Sequence, residues 1–130
     1  MKSAGGRVFI DFGSPKPNWE TLVGLADLIN CPHRLLDVLF PGMPMEKAAK
    51  RLVALGAGEV TVTDGESGAW FFDADTELHQ PALPVDAIDT NGAGDVFTGA
   101  MIFATLKNWP ADRRMRFATA AAALKCKSIG

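Results

Sequence analysis

Short β-branched and aromatic runs alternate along this chain with stretches of helical spacing, and that alternation restricts the fold more than any other feature of the sequence. "RVFID" (7–11) reads as a buried strand ending at Asp11, ahead of a Gly-Ser-Pro turn. "NWETLVGLADLI" (18–29) opens on an asparagine suited to an N-cap, keeps helical spacing, and passes into an expected strand around 26–29. "PGMP" (41–44) punctuates the chain, and "MEKAAKRLVALGAG" (45–58) reads as an amphipathic helix stopped by Gly56 and Gly58. "EVTVTDG" (59–65) alternates as a strand, "GAWFFD" (68–73) follows as another, and "DADT" (73–76) is the polar turn that leads into "ELHQPAL" (77–83). From Asp95 to Leu106, Val96, Ala100, Phe103 and Ala104 are expected on one apolar helical face. The pattern breaks from Asn108 to Asp112, and the alanine-rich segment 112–130 reads as a last helix with Gly130 as its stop. Strands alternating with helices predict an α/β layer architecture around a mostly parallel sheet.

The composition removes several classes of function. A chain of 130 residues with 48% hydrophobic content can bury a core. The net charge of −2, with both signs spread along the chain, argues against a nucleic-acid surface. No apolar run approaches the roughly eighteen residues of a membrane helix, and "MKSAGGRVFID" lacks the hydrophobic stretch of a signal peptide, so a cytoplasmic protein without membrane contact is expected. Cys31 and Cys126 are too few for a disulfide framework and lie in no zinc-like spacing, which leaves buried free thiols as the reading. His33, a histidine without partners, makes no metal site and is expected as a solvated loop residue.

"DTNGAGD" (89–95) carries the densest chemistry. A glycine-containing turn before a helix can aim several free backbone N–H groups at one point, where the helix dipole also favours negative charge. Gly92 and Gly94 permit positive backbone dihedrals and close approach of an anion, and Ala93 adds almost no bulk. Asp95 falls in the first helical turn beside that anion position. A carboxylate would repel a phosphate, which is odd for a binding loop but suits a base that takes a proton from an attacking hydroxyl. The competing reading is structural, with Thr90 or Asp95 capping the helix and the glycines making the turn. Neither G-x-x-x-x-G-K-[ST] nor G-x-G-x-x-G occurs here, since Phe97 stands where the third glycine of the latter would fall.

"DTNGAGDVFTGAM" (89–101) resembles the C-terminal signature of the ribokinase-like, PfkB-type carbohydrate kinases, approximately D-T-x-G-A-G-D-x-F-x-G-A, at every fixed position. Upstream, "VTVTDGESGAW" (60–70) is similar to the family's nucleotide strand and turn, V-x-x-T-x-G-x-x-G. "FATAAAALKCKSIG" (117–130) is similar to its alanine-rich helix beside the adenine. The resemblance implies a ribokinase-like three-layer α/β/α fold and ATP-dependent phosphoryl transfer to a sugar or sugar-like hydroxyl. It implies Asp95 as catalytic base and the amides of Gly92, Ala93 and Gly94 as the anion hole. Asp89 would help hold a monovalent cation, potassium, and Thr90 would help order the phosphate site. Thr63, Gly65 and Gly68 would line the nucleotide, with Thr119 and Ala123 beside the adenine. For those last two residues taken alone, ordinary helix packing is the favoured reading.

Departures from the family pattern set limits. The Asn-x-x-Glu motif linked to magnesium and phosphate handling is replaced here by "NCPH", Asn30 to His33, so protein contacts to the magnesium that accompanies ATP are not assigned. Asp64 stands where relatives often carry an apolar residue. The resemblance covers only the C-terminal, nucleotide-binding half of a family chain, so residues 1–130 are expected to be that half without the N-terminal sugar-binding and lid half. A half-sheet carries an unpaired edge strand, a liability that implies a homodimer or pairing with the missing half. Two functions stay open: a carbohydrate kinase, with the activity of this chain alone undecided, and a non-catalytic nucleotide- or anion-binding module derived from one. The acceptor is not fixed, since kinases of sugars, sugar phosphates, nucleosides and sulfonated sugars share the signature.

Overall fold

The computed structural model of the chain describes residues 7–83 and 93–127. Its elements run in the expected alternation: β1 (Phe9–Asp11), α1 (Trp19–Leu25), β2 (Leu28–Pro32), α2 (His33–Leu39), α3 (Met45–Ala54), β3 (Glu59–Thr63), β4 (Ala69–Phe72), β5 (Glu77–Gln80), α4 (Ala93–Leu106) and α5 (Ala111–Lys127). Among the described residues a five-stranded sheet holds the strands in chain order, β1-β2-β3-β4-β5. The described residues fall into two compact units, one of the chain up to Asp64 with Trp70–Leu78, the other of Gly65–Ala69 and the chain from His79 onward.

In the first unit, β1 pairs parallel with β2, Ile10 opposite Ile29, and β2 pairs parallel with β3, Ile29 opposite Val60. Parallel neighbours cannot be joined by a tight turn, so the chain returns through α1 between β1 and β2 and through α2 and α3 between β2 and β3. Asp27 ties the start of the first pair together. Its backbone N–H donates to the Val8 carbonyl at 2.8 Å, and its carboxylate Oδ2 accepts from the Val8 N–H at 2.7 Å. These two bonds start the ladder one step before Leu28, so β2 lies further along the chain than the strand expected at 26–29.

The core of this unit is built from Phe12, Val23, Ile29, Leu36, Leu52 and Val62, all almost fully removed from water. Helix α3 follows its sequence pattern: Ala48, Ala49 and Leu52 are buried, while Glu46, Lys47, Lys50 and Arg51 stay outside. It ends where expected, because Gly56 has φ 123° and a Cβ there would lie 3.0 Å from the Gly24 Cα. Asn18 precedes α1 as expected, yet it caps differently. Its side chain makes no cap bond and its φ is 62°, while its carbonyl accepts from Thr21 N–H at 3.1 Å and Leu22 N–H at 3.3 Å. The turn from β4 to β5 is an aspartate turn, with Asp73 Oδ1 accepting from the N–H groups of Asp75 and Thr76 at 2.9 and 2.6 Å.

In the second unit, α4 and α5 pack side by side. Between them Asn108 takes φ 59°, its N–H donates to Thr105 O at 3.0 Å, and Trp109 N–H donates to Ala104 O at 3.2 Å. That pair of bonds is a Schellman stop with asparagine in the left-handed position, the physical content of the break expected at 108–112. The buried stripe of α4 is Phe97, Met101 and Ala104. This corrects the expected face of Val96, Ala100, Phe103 and Ala104, since Phe103 is 47% exposed and joins Trp109 and Phe117 in an aromatic cluster with centroids 5.3 to 5.9 Å apart. An almost continuously apolar sequence gives no periodicity from which to choose the face. Gly130, the expected stop of α5, lies outside the described residues.

Cys31 is a buried free thiol in β2, as read from the sequence; of Cys126 the structure describes no side chain. Burial, with a smaller push from the Asp11 carboxylate, raises the Cys31 thiol from 9.0 to about 12. The unfolded chain releases this proton first as pH rises, so the stabilisation from the protonated thiol is complete below pH 9 and is lost between 9 and about 12. Urea midpoints of wild type and Cys31→Ala measured from pH 8 upward are expected to converge across that window; a constant difference would show that the thiol does not titrate differently on folding.

Candidate active site

The carboxyl ends of parallel strands are where open α/β sheets place ligands, and the β2–β3 pair ends on Pro32 opposite Thr63. Beyond Thr63 the chain turns at once. Gly65 takes φ 48°, Gly65–Ser67 forms one 3₁₀ turn, and Gly68 closes it with φ 94° and an N–H bond to Gly65 O at 3.1 Å. Gly68 is held tightly: an added Cβ would run into the Gln80 carbonyl and lie 2.8 Å from the Ala82 nitrogen. The imidazole Nε2 of His79 lies 2.8 Å from the Ser67 carbonyl and braces the same turn. Gly65 and Gly68 therefore share one turn just beyond Thr63, whose backbone favours glycine at 65 and requires it at 68.

The helix α4 starts at Ala93, with Gly94 and Asp95 in its first turn. Gly94 and Asp95 are exposed, and a Cβ on Gly94 would meet no described atom within 4 Å. Packing among the described residues therefore does not require glycine at 94. The first N–H groups of a helix have no intrahelical acceptor and carry its positive dipole end, so the start of α4 puts such donors at Ala93, Gly94 and Asp95 beside a carboxylate. Thr98 Oγ1 donates to the Gly94 carbonyl at 3.0 Å. Asp89, Thr90 and Gly92 lie outside the described residues.

Thr119 and Ala123 stand one turn apart on α5. Thr119 is 8% exposed, and its Oγ1 is buried without a hydrogen-bond partner among the described residues. A buried hydroxyl without a partner costs about 1–3 kcal/mol, so ordinary helix packing explains Ala123 better than it explains Thr119.

The sequence reading missed two contacts. Asn30, compared above with a magnesium motif, lies buried in β2, where its Oδ1 accepts from Thr61 Oγ1 at 2.7 Å. His33 is the first residue of α2 and not a solvated loop residue, with Nδ1 3.0 Å from Asp64 Oδ2 and Nε2 3.8 Å from Asp37 Oδ1. Both contacts depend on the β2–β3 register, which spacing along the chain does not encode. Among the described residues no group of three or more His, Cys, Asp or Glu side chains could hold a metal ion. No helix among them is long and apolar enough to cross a membrane.

Solved structures of sugar kinases superpose on this chain. Arabidopsis thaliana ribokinase complexed with ribose and ATP superposes with a TM-score of 0.88 at 30% identity, over 99% of this chain and 44% of that one. A putative ribokinase II from E. coli, in complex with ATP and Mg²⁺, superposes with a TM-score of 0.84 at 27% identity, over 99% of this chain and 45% of that one. The fold is thus ribokinase-like. In sequence, the deoxyribokinase of Salmonella typhi is 36% identical over 101 residues, 73% of this chain and 33% of the deoxyribokinase. The pfkB family carbohydrate kinase model matches residues 8–130, and the chain belongs to that family. It spans 33 to 45% of the length of these three relatives.

Gly68→Ala is expected to lower stability by about 2 kcal/mol, because the substitution combines a left-handed φ with a backbone collision. Gly94→Ala, with open space around it, is expected to leave stability within about 0.5 kcal/mol. Denaturant midpoints check both, and equal losses would contradict this description of the turn and the helix start.

Proposed function

We propose that this chain is the C-terminal, nucleotide-binding portion of an ATP-dependent carbohydrate kinase that phosphorylates a hydroxyl of a sugar or sugar-like acceptor. The observation that carries the proposal is the start of α4, where an exposed Asp95 sits in the same turn as the backbone donors of Ala93 and Gly94. The family membership and the ATP complexes of the related ribokinases support it.

In this reading the nucleotide lies along Thr63, Gly65 and Gly68, whose glycine backbone permits close approach, and its adenine lies near Thr119 and Ala123. Asp95 takes the proton from the acceptor hydroxyl as that oxygen attacks the γ-phosphorus of ATP. The bond from phosphorus to the β–γ bridging oxygen breaks, and ADP leaves with its electron pair. The amides of Gly92, Ala93 and Gly94 hold the charge that gathers on the phosphoryl oxygens.

Magnesium is assigned to the phosphates of the nucleotide, and potassium near Asp89 belongs to the same proposal. The acceptor class is a sugar or sugar-like molecule. Pairing with a second copy or with an N-terminal sugar-binding half would place that acceptor beside Asp95.

A phosphotransfer assay over a sugar panel, with ATP, magnesium and potassium, tests the reading. Wild type is expected to form a sugar phosphate, and Asp95→Asn to lose about 10²- to 10⁴-fold in turnover while keeping its ATP affinity. Nucleotide binding without turnover on any sugar would favour a non-catalytic nucleotide-binding module instead. Failure to bind ATP would contradict both.

A further inference from the structure

Two residues that depart from the family pattern meet in this structure. His33 and Asp64 are each the first residue beyond the paired strand ends Pro32 and Thr63. They lie 31 positions apart in sequence, and the imidazole Nδ1 is 3.0 Å from the carboxylate Oδ2. Proline has no N–H to donate, so the backbone ladder between β2 and β3 cannot continue through Pro32 on its donor side. The side-chain bond takes over one step further along. An ionised carboxylate only accepts, so in this bond the imidazole Nδ1–H is the donor. At 3.8 Å the Asp37 carboxylate is too far from Nε2 for a hydrogen bond. With the side chains 32% and 42% exposed, the pair is not a buried core contact, and its loss is compatible with a folded chain.

Asp64 directly follows Thr63 and directly precedes Gly65, so whatever fixes its carboxylate also fixes the peptide that leaves β3. We propose that His33 is a positioning residue for the nucleotide: it holds Asp64, and with it the Thr63–Asp64 peptide, in the conformation that ATP meets. The Asp64 carboxylate, engaged by His33, is also restrained from turning its charge on the nucleotide phosphates. This role rests on the nucleotide reading above, but the anchoring itself does not.

The test is a double-mutant cycle on the full chain with two readouts, the ATP dissociation constant by calorimetry and amide hydrogen exchange at Asp64 and Gly65 without nucleotide. His33→Ala is expected to weaken ATP binding about threefold to tenfold in the wild-type background and to leave it unchanged in the Asp64→Ala background. Exchange at the two amides is expected to quicken while the melting temperature changes little. His33→Asn, whose Nδ2 can donate in place of the imidazole Nδ1, is expected to restore part of both. Unchanged ATP affinity in His33→Ala, or the same fold-loss with and without Asp64, would overturn the proposal while leaving the nucleotide reading intact. A wild-type chain that binds no ATP would overturn the positioning role together with that reading, and quickened exchange in His33→Ala would then show an anchor of purely structural use.

Discussion

The parallel pairing of β2 with β3 is the constraint on which the rest of the first unit depends. Parallel neighbours must be joined by a crossover, so this pairing dictates that α2 and α3 lie between the two strands in sequence. It also brings both carboxyl ends to the same edge of the sheet, Pro32 opposite Thr63. The strands bury Ile29, Cys31, Val60 and Val62 in the core, and the register places Asn30 opposite Thr61 so that the two buried polar side chains satisfy each other. A slip of one residue would move every apolar side chain to the other face and separate that polar pair. The glycine turn at 65–68 and the His33–Asp64 bond both begin where this register ends.

The second unit solves a different problem. A helix so apolar as α4 could bury several faces, and the choice is made by α5, whose Met115, Ala118 and Thr119 are buried as Phe97, Met101 and Ala104 are. Arg114 contributes its guanidinium to Thr105 Oγ1 at 3.1 Å, and Thr105 in turn donates to the Met101 carbonyl at 2.7 Å. Phe103 stays outside, where Lys107 lies 5.5 Å from its ring centroid and Arg113 covers Trp109 at 4.0 Å. Packing of this kind fixes the helix pair through its Asn108 stop and leaves the opposite end of α4 to present its backbone donors and Asp95.

Much of this was legible in the sequence because it is local. Strands β3, β4 and β5, helix α3 with its glycine stop, and the break before α5 each have a period or a turn residue that spacing reveals. The turn at 65–68 came from the family resemblance, since the local pattern read 59–65 and 68–73 only as strands. What escaped depends on contacts between distant segments. The start of β2 was set by Asp27 reaching back to Val8, the buried face of α4 by its neighbour helix, and the partner of His33 by a strand register 31 residues away. Asn18 carried the right residue type for a cap, and the backbone served the purpose without its side chain.

The central claim is that one nucleotide engages the strand-end turn and the start of α4. Titrating ATP with magnesium into the isotopically labelled chain and following its backbone amide resonances tests this most directly. The account predicts saturable shifts concentrated at Thr63, Gly65, Gly68, Ala93, Gly94 and Asp95, with Thr119 among them. Shifts that do not saturate, or that gather elsewhere while these amides stay unmoved, would contradict it.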